Sequence, residues 1–322
     1  MWWCSHDQYE LDFPPYDWCC VERELGLIRS DGTYKSAAYA MKEMRDFTDE
    51  NTIDLPDRQR DAVCILSPYS DSWGIAYSTF VLSKQAGFDV RFADGTKSIP
   101  KSNVYMLPCV SGDYVPKRTQ TEILRRVYEE GATLYISWDG AIISDIEKLS
   151  GLKVISNKVR KSSSKVRFED NSLEFNLSSS RRLDTIDYTG TVLAREEDSN
   201  PALSVNNYGK GKIYFLFFPL EKSIVDEVGA FDINSKNNYY EIYSKLFSNL
   251  FSHRIISKSS PLLGVSEHPI DSDNCIITAV NYGDCEKEFT ITLDENWEFK
   301  NGFNGSMNLL SGGIKVIEIQ RK

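Results

Sequence analysis

Residues 62–68, Ala62-Val63-Cys64-Ile65-Leu66-Ser67-Pro68, form an unbroken apolar run that stops at turn residues, and the segments after it decide the fold. A run of this length without alternation is how a strand buried on both faces reads. Ser72 to Gln85 then carries a helical pattern, and Gly87 stands where a left-handed C-terminal cap is expected. Asp89–Ala93 and Val104–Pro108 are the next two strands. Thr119-Gln120-Thr121-Glu122 has the spacing of a capping box, opening a helix with Ile123, Leu124, Val127 and Tyr128 facing inward and Gly131 ending it. Thr133-Leu134-Tyr135-Ile136-Ser137-Trp138 is a fourth strand. Apolar strands alternating with capped helices predict an α/β fold class, with a parallel sheet covered on both faces.

That pattern is doubly wound and flavodoxin-like. From Gly151 it gives way to period-two alternation (Val166, Phe168; Leu173, Phe175, Leu177), which predicts an antiparallel excursion before the sheet resumes. Asn207-Tyr208-Gly209-Lys210-Gly211 reads as a hairpin turn feeding a strand over Lys212–Pro219. It is not a phosphate loop, because it precedes a strand and not a helix. A last helix carries Tyr239, Ile242, Tyr243, Leu246 and Leu250 along one face. After Pro261 only strand-like segments remain, at Ile276–Val280, Glu288–Leu293 and Ile314–Ile319, forming a small antiparallel β domain.

Upstream, residues 48–61 are charged and aperiodic, as in a linker. Before them Met1-Trp2-Trp3-Cys4-Ser5-His6-Asp7 reads as the end of a buried strand and its loop, so the chain is expected to begin inside a domain. Phe13-Pro14-Pro15-Tyr16-Asp17-Trp18 continues the loop. A short amphipathic helix follows with Ala37, Ala40, Met41, Met44 and Phe47 on one face. One strand and one helix bury too little to offset the entropy of ordering them. Residues 1–47, rich in aromatic rings, are expected to pack on the α/β domain or on a neighbouring chain.

The formal charge of −10 and pI near 5.0 oppose binding to a phosphate backbone, so no nucleic-acid partner is expected. The most basic stretch, Lys158-Val159-Arg160-Lys161 with Lys165 and Arg167, is serine-rich and reads as a solvated hairpin rim. Seven cysteines show no CxxC spacing, and Cys64, Cys109 and Cys275 sit in apolar runs; reduced thiols are expected, with no metal and no cofactor. Neither a signal peptide nor a membrane-length apolar run is present, which reads as cytoplasmic with no membrane partner. Any targeting segment on a missing upstream part would be missing with it.

Glu24-Leu25-Gly26-Leu27 followed by Asp31-Gly32-Thr33-Tyr34-Lys35-Ser36-Ala37-Ala38 resembles the last strand and helix of the (β/α)8 barrels of clan A glycoside hydrolases. Glu130-Gly131-Ala132-Thr133-Leu134-Tyr135-Ile136-Ser137-Trp138-Asp139-Gly140 resembles the class I glutamine amidotransferase fold. The catalytic cysteine of that fold would fall at about Trp138. No cysteine stands there, no His-x-Glu pair follows, and His253 and His268 lie at or beyond the domain's end, so an inert scaffold is expected. With Asn200-Pro201-Ala202-Leu203 through Leu216, residues 60–255 resemble the trimerisation domain of family 42 β-galactosidases. The order of parts is also that family's: barrel end at 1–54, amidotransferase-like trimerisation domain at 55–255, and C-terminal β domain at 256–322.

The resemblance implies that the two catalytic carboxylates lie on barrel strands preceding Met1. Asp7, Glu10, Asp12 and Asp17, on the loop after the last barrel strand, cannot fill both roles. No catalytic residue is therefore expected here. Trp2 or Trp3 would stack on a sugar and His6 would touch it, although core packing or loop packing explains the same residues. The implied function is the non-catalytic C-terminal portion of a β-galactosidase-like glycoside hydrolase. Its expected partners are copies of itself or a missing barrel, with carbohydrate bound through the parent enzyme. Two other readings stay open. One is a hydrolase or amidotransferase-like site among Ser67, Tyr69, Asp71, Ser111, Asp113 and Asp139 at the strand ends. The other is a carbohydrate-binding module using Trp297, Phe299 and Phe303.

Overall fold

The computed structural model describes residues 4–8, 10–11, 13–19, 23–50, 55–112, 115–233 and 238–322. The chain divides into two units, Met1–Leu55 and Pro56–Lys322. In the first, β1 (Cys4–His6) pairs in parallel with β2 (Gly26–Ile28), and α1 (Ser36–Glu50) follows. Only glycine fits at position 26, because a Cβ there would lie 2.3 Å from the backbone of His6 and Asp7. The helix forms where its periodicity predicts. None of its residues is buried, however, and Met41 and Met44 stay exposed, since two three-residue strands offer too little surface to cover them.

The second unit opens with β3 (Ala62–Leu66), α2 (Ser72–Ala86), β4 (Val90–Asp94) and β5 (Val104–Val110). Asp71 caps α2 by accepting from Gly74 N–H at 3.0 Å, and Gly87 closes it at φ 93°. Next come α3 (Lys117–Arg125), β6 (Thr133–Trp138) and α4 (Ile146–Ser150). The expected capping box does not form. Pro116 precedes the first turn, its carbonyl accepting from Thr119 and Gln120 N–H, while buried Thr119 turns its hydroxyl to Gly95 O at 2.8 Å. The end of this helix widens into a π-helical turn over Arg126–Glu130, which keeps Val127 buried and puts Tyr128 outside, where the sequence placed it inward.

The excursion begins with β7 (Leu152–Val159), β8 (Ser164–Phe168), β9 (Glu174–Leu177), β10 (Arg181–Asp187), β11 (Thr191–Glu196) and β12 (Pro201–Tyr208). It returns through β13 (Gly211–Leu216), followed by α5 (Leu220–Val225) and α6 (Tyr240–Phe247). Nine strands form one sheet in the order β4-β3-β5-β6-β13-β12-β11-β8-β9. From β4 to β13 neighbours are parallel, and from β13 to β9 they are antiparallel. β7 and β10 make a separate antiparallel ribbon. Side-chain alternation splits the core in two: Ala62 and Cys64 face α2, α5 and α6, while Val63 and Ile65 share the opposite layer with Ile123, Val127 and Leu149.

The remaining strands are β14 (Ile256–Lys258), β15 (Leu263–Pro269), β16 (Asn274–Asn281), β17 (Lys287–Leu293), β18 (Trp297–Phe299), β19 (Ser306–Leu309) and β20 (Ile314–Arg321). They form two antiparallel sheets, β14-β17-β19 and β15-β16-β20-β18, around a core that includes Leu263, Ile277, Phe289, Ile291 and Ile319.

Buried ions join this sandwich to the α/β layers. Asp61 accepts from Arg254 Nη1 and Asp89 N–H at 2.6 Å each and meets His253 Nε2 at 2.8 Å. Lys84 pairs with Asp89 at 2.7 Å and donates to Val265 O and Ser266 Oγ in β15. Glu267 of β15 accepts from Ile255 and Ile256 N–H at 3.1 Å. Lys258 is the weak member. Among the described residues its ammonium donates to two carbonyls, Lys84 O at 2.5 Å and Leu263 O at 2.7 Å. Burial, with Lys84 and Arg254 close by, pushes its pKa down to about 7.

An amine with a depressed native pKa leaves the unfolded chain holding more protons, so its contribution rises with pH between that value and about 10.4. Lys258→Met should therefore be more stable than the wild type at pH 7 and below, with the advantage shrinking toward pH 10. Urea denaturation at several pH values measures it.

Candidate functional site

The carboxyl ends of the parallel strands are where an α/β sheet places its chemistry. At the centre of that edge stands Cys109, held at φ 52°, in the left-handed region, where β5 and β6 lose register. Its N–H donates to Ser137 Oγ at 2.7 Å. Beside it Glu221, in the first turn of α5, is fully buried. Its carboxylate accepts from the hydroxyls of Tyr135 (2.8 Å), Tyr243 (2.7 Å) and Ser137 (2.6 Å), and from Cys109 Sγ at 3.3 Å. Four neutral donors replace the water a carboxylate loses on burial.

This arrangement turns the Cys109 thiol and the Ser137 hydroxyl inward onto Glu221. Burial, with Glu221 adjacent, pushes the Cys109 thiol well above its ordinary pKa, and the same causes raise Tyr135 and Tyr243. A nucleophile would have to be a thiolate. Ser137 is wholly buried, and Trp138 packs in the core with its indole N–H on Ala141 O at 2.8 Å.

Of the residues expected at the strand ends, Ser67, Asp71 and Asp139 are engaged in local contacts. Ser67 Oγ accepts from Tyr69 N–H at 3.1 Å, Asp71 caps α2, and Asp139 pairs with Lys222 at 2.6 Å. Ser111 is half-buried, and Asp113 lies outside the described residues. What this edge presents to solvent is aromatic: Tyr69 is 75% and Trp73 78% exposed. Trp73 lies 6.2 Å from Tyr77, whose ring meets Phe231 edge-on at 5.4 Å.

In the N-terminal unit, Trp2 and Trp3 lie outside the described residues. His6 is exposed, with Nδ1 3.0 Å from Ser5 Oγ. Sequence reasoning weighed Asp7 only as a catalytic carboxylate and gave its neighbours Lys35, Arg29 and Asp31 no part in a site. Asp7 accepts from Lys35 Nζ at 2.7 Å and Gly26 N–H at 3.0 Å, and Lys35 holds its carboxyl below the ordinary range. Asp7, Lys35, Arg29 and Asp31 line a polar cavity of about 500 Å³. In the sandwich, Trp297, Phe299 and Phe303 are partly buried against the core, and Lys315 lies 4.5 Å over the Phe303 ring, so they form no open platform. Among the described residues no three His, Cys, Asp or Glu converge as a metal site, and Cys4, Cys19, Cys64, Cys109, Cys275 and Cys285 are free thiols. No described helix is long and apolar enough to cross a membrane.

No protein-family model and no curated protein matches the sequence. Solved structures do match it. Gan42B, a GH42 β-galactosidase from G. stearothermophilus solved as a catalytic mutant, is similar at a TM-score of 0.65 and 13% identity, over 92% of this chain and 46% of that one. A β-galactosidase from Bacillus circulans sp. alkalophilus gives a TM-score of 0.62 and 12% identity, over 92% and 47%. Alpha-L-fucosidase isoenzyme 2 from Paenibacillus thiaminolyticus gives 0.64 and 8%, over 91% and 54%. The chain spans about half the length of the solved enzymes it matches. The resemblance to family 42 β-galactosidases read from the residues is thus met at the level of fold.

A closed Glu221 cluster makes a chemical prediction. Iodoacetamide on the native chain should alkylate exposed Cys285 and spare Cys109, as read by peptide mass mapping. Glu221→Leu, which strips the acceptor from three buried hydroxyls, should lower stability by more than ~2 kcal/mol.

Proposed function

We propose that this chain is the non-catalytic C-terminal portion of a glycoside hydrolase of the β-galactosidase type, and that its work is assembly. In this reading residues 1–54 complete a catalytic barrel. Residues 55–255 are a flavodoxin-type, amidotransferase-like domain that joins copies of the chain into a trimer, and 256–322 is an accessory β domain. Hydrolysis would belong to barrel carboxylates outside this sequence. His6 and one of Trp2 and Trp3 would meet the sugar at the barrel mouth, in the cytoplasm.

The observation that carries the reading is the condition of the strand-end edge. Among the described residues, Cys109, Tyr135, Ser137 and Tyr243 turn to Glu221 and Asp71 caps α2, while Tyr69, Trp73 and Tyr77 are left in water. Exposed rings clustered with a neighbour such as Phe231 are the composition of an interface core. Fold similarity over 92% of this chain to part of a β-galactosidase points the same way. The enzyme alternative finds no accessible nucleophile in Cys109 or Ser137, both buried.

Sedimentation velocity tests the assembly role. The chain should sediment as an oligomer, and Trp73→Ser with Tyr77→Ser should convert it to monomer without changing its far-UV circular dichroism; a monomeric wild type would contradict the assembly role. The same preparation should leave aryl glycosides intact.

A further inference from the structure

A groove of about 970 Å³ opens on the other side of the large sheet, between the end of α3, the start of α4 and the β10–β11 turn. Its floor is locked. Gly151, at φ 71°, lies against Gly190 so closely that a Cβ would approach the Gly190 backbone to 2.5 Å. Thr189 and Gly190 N–H both donate to Gly151 O, at 2.9 and 2.8 Å. Asn206 Nδ2 donates to Lys148 O at 2.8 Å. These contacts fix the Tyr188 turn to the α4 end through backbone groups and the Asn206 amide, and Glu147 Oε1 accepts from Val154 N–H at 3.0 Å, while the rings of Tyr128 and Tyr188 take no part.

Two of those side chains are open rings. Tyr188 is 70% exposed and Tyr128 is 55% exposed. Tyr128 is outside because of the π-helical turn, and it is braced edge-on by Tyr208 at 5.5 Å. Gly209 allows the close approach: a Cβ there would come within 2.3 Å of Tyr128 O. Around the rings stand exposed Asn207, Asp145 and Glu147, hydrogen-bonding groups set beside flat apolar faces. Among the described lining residues the one cation, Lys148, lies 5.7 Å over the Tyr208 ring and is outnumbered by the two carboxylates, which disfavours phosphorylated or acidic ligands.

We propose that this groove binds a neutral oligosaccharide chain, with Tyr128 and Tyr188 stacking on the C–H faces of sugar rings and Asn207, Asp145 and Glu147 hydrogen-bonding their hydroxyls. The volume is at the upper end for small-molecule clefts, which fits more than one sugar ring. The proposal rests on the glycoside hydrolase reading only for the choice of probes. It concerns a face separate from the Trp73 edge, so failure here leaves the assembly state untouched.

Affinity electrophoresis of the full chain through gels containing soluble β-1,4-galactan or β-1,4-mannan is the test. At least one polymer should retard the wild type. Tyr128→Ala with Tyr188→Ala, which removes both stacking contacts, should weaken binding by about tenfold or more. Tyr128→Phe with Tyr188→Phe should keep the retardation, and so should Trp73→Ser with Tyr77→Ser. If the double alanine variant does not fold, Tyr188→Ala alone serves, because that side chain stands on an exposed turn. No retardation of the wild type by either polymer, or equal retardation of the alanine variants, overturns the proposal.

Discussion

Three carboxylates with almost no access to solvent, Asp61, Asp89 and Glu267, set the frame on which the larger unit is built. Asp61 and Asp89 stand at the starts of neighbouring parallel strands, and Glu267 lies in β15 of the four-stranded sandwich sheet. Burial alone would raise Asp61, but the hydrogen bond from His253 and the charge of Arg254 hold its carboxyl below the ordinary range. Glu267, with burial dominant, is raised. Such clusters add little net stability over an apolar core, yet removing one member leaves the others stranded. Their contribution is to specify the docking: this placement of β15 lets Lys84 reach Asp89, Val265 O and Ser266 together.

The same economy governs the opposite end of the strands. A lone carboxylate, Glu221, is wrapped by donors from β5, β6 and α6, and Cys109 accepts a left-handed backbone to bring its N–H and thiol into that ring. At an edge that in this class of fold usually holds a ligand, the described side chains of Cys109, Ser137 and Tyr135 turn inward to Glu221. What solvent meets instead is the ring cluster around Trp73.

Legibility from the sequence followed locality. Thr133–Trp138 and Ala62–Leu66 form where uninterrupted apolar runs place them, and α2 ends at the glycine that can adopt its cap. β15 was invisible, because Leu263-Gly264-Val265-Ser266-Glu267-His268-Pro269 has little strand propensity and is held by pairing with β16 and by the buried ions. Thr119 misled because proline and tertiary contact with Gly95 O override a local capping pattern. The Glu221 ring escaped entirely: its partners lie 22, 84, 86 and 112 residues away, and one acid after Phe217-Phe218-Pro219-Leu220 carries no signal of them.

If the buried ions bind sandwich and α/β layers into one cooperative body, both should open together. Native-state hydrogen exchange read residue by residue measures this directly. Amides of β15 and β16 should exchange with opening free energies within about 1 kcal/mol of those in β5 and β6, as expected of one cooperative unit. Sandwich amides that exchange several kcal/mol more easily, while β5 and β6 remain protected, would contradict the account.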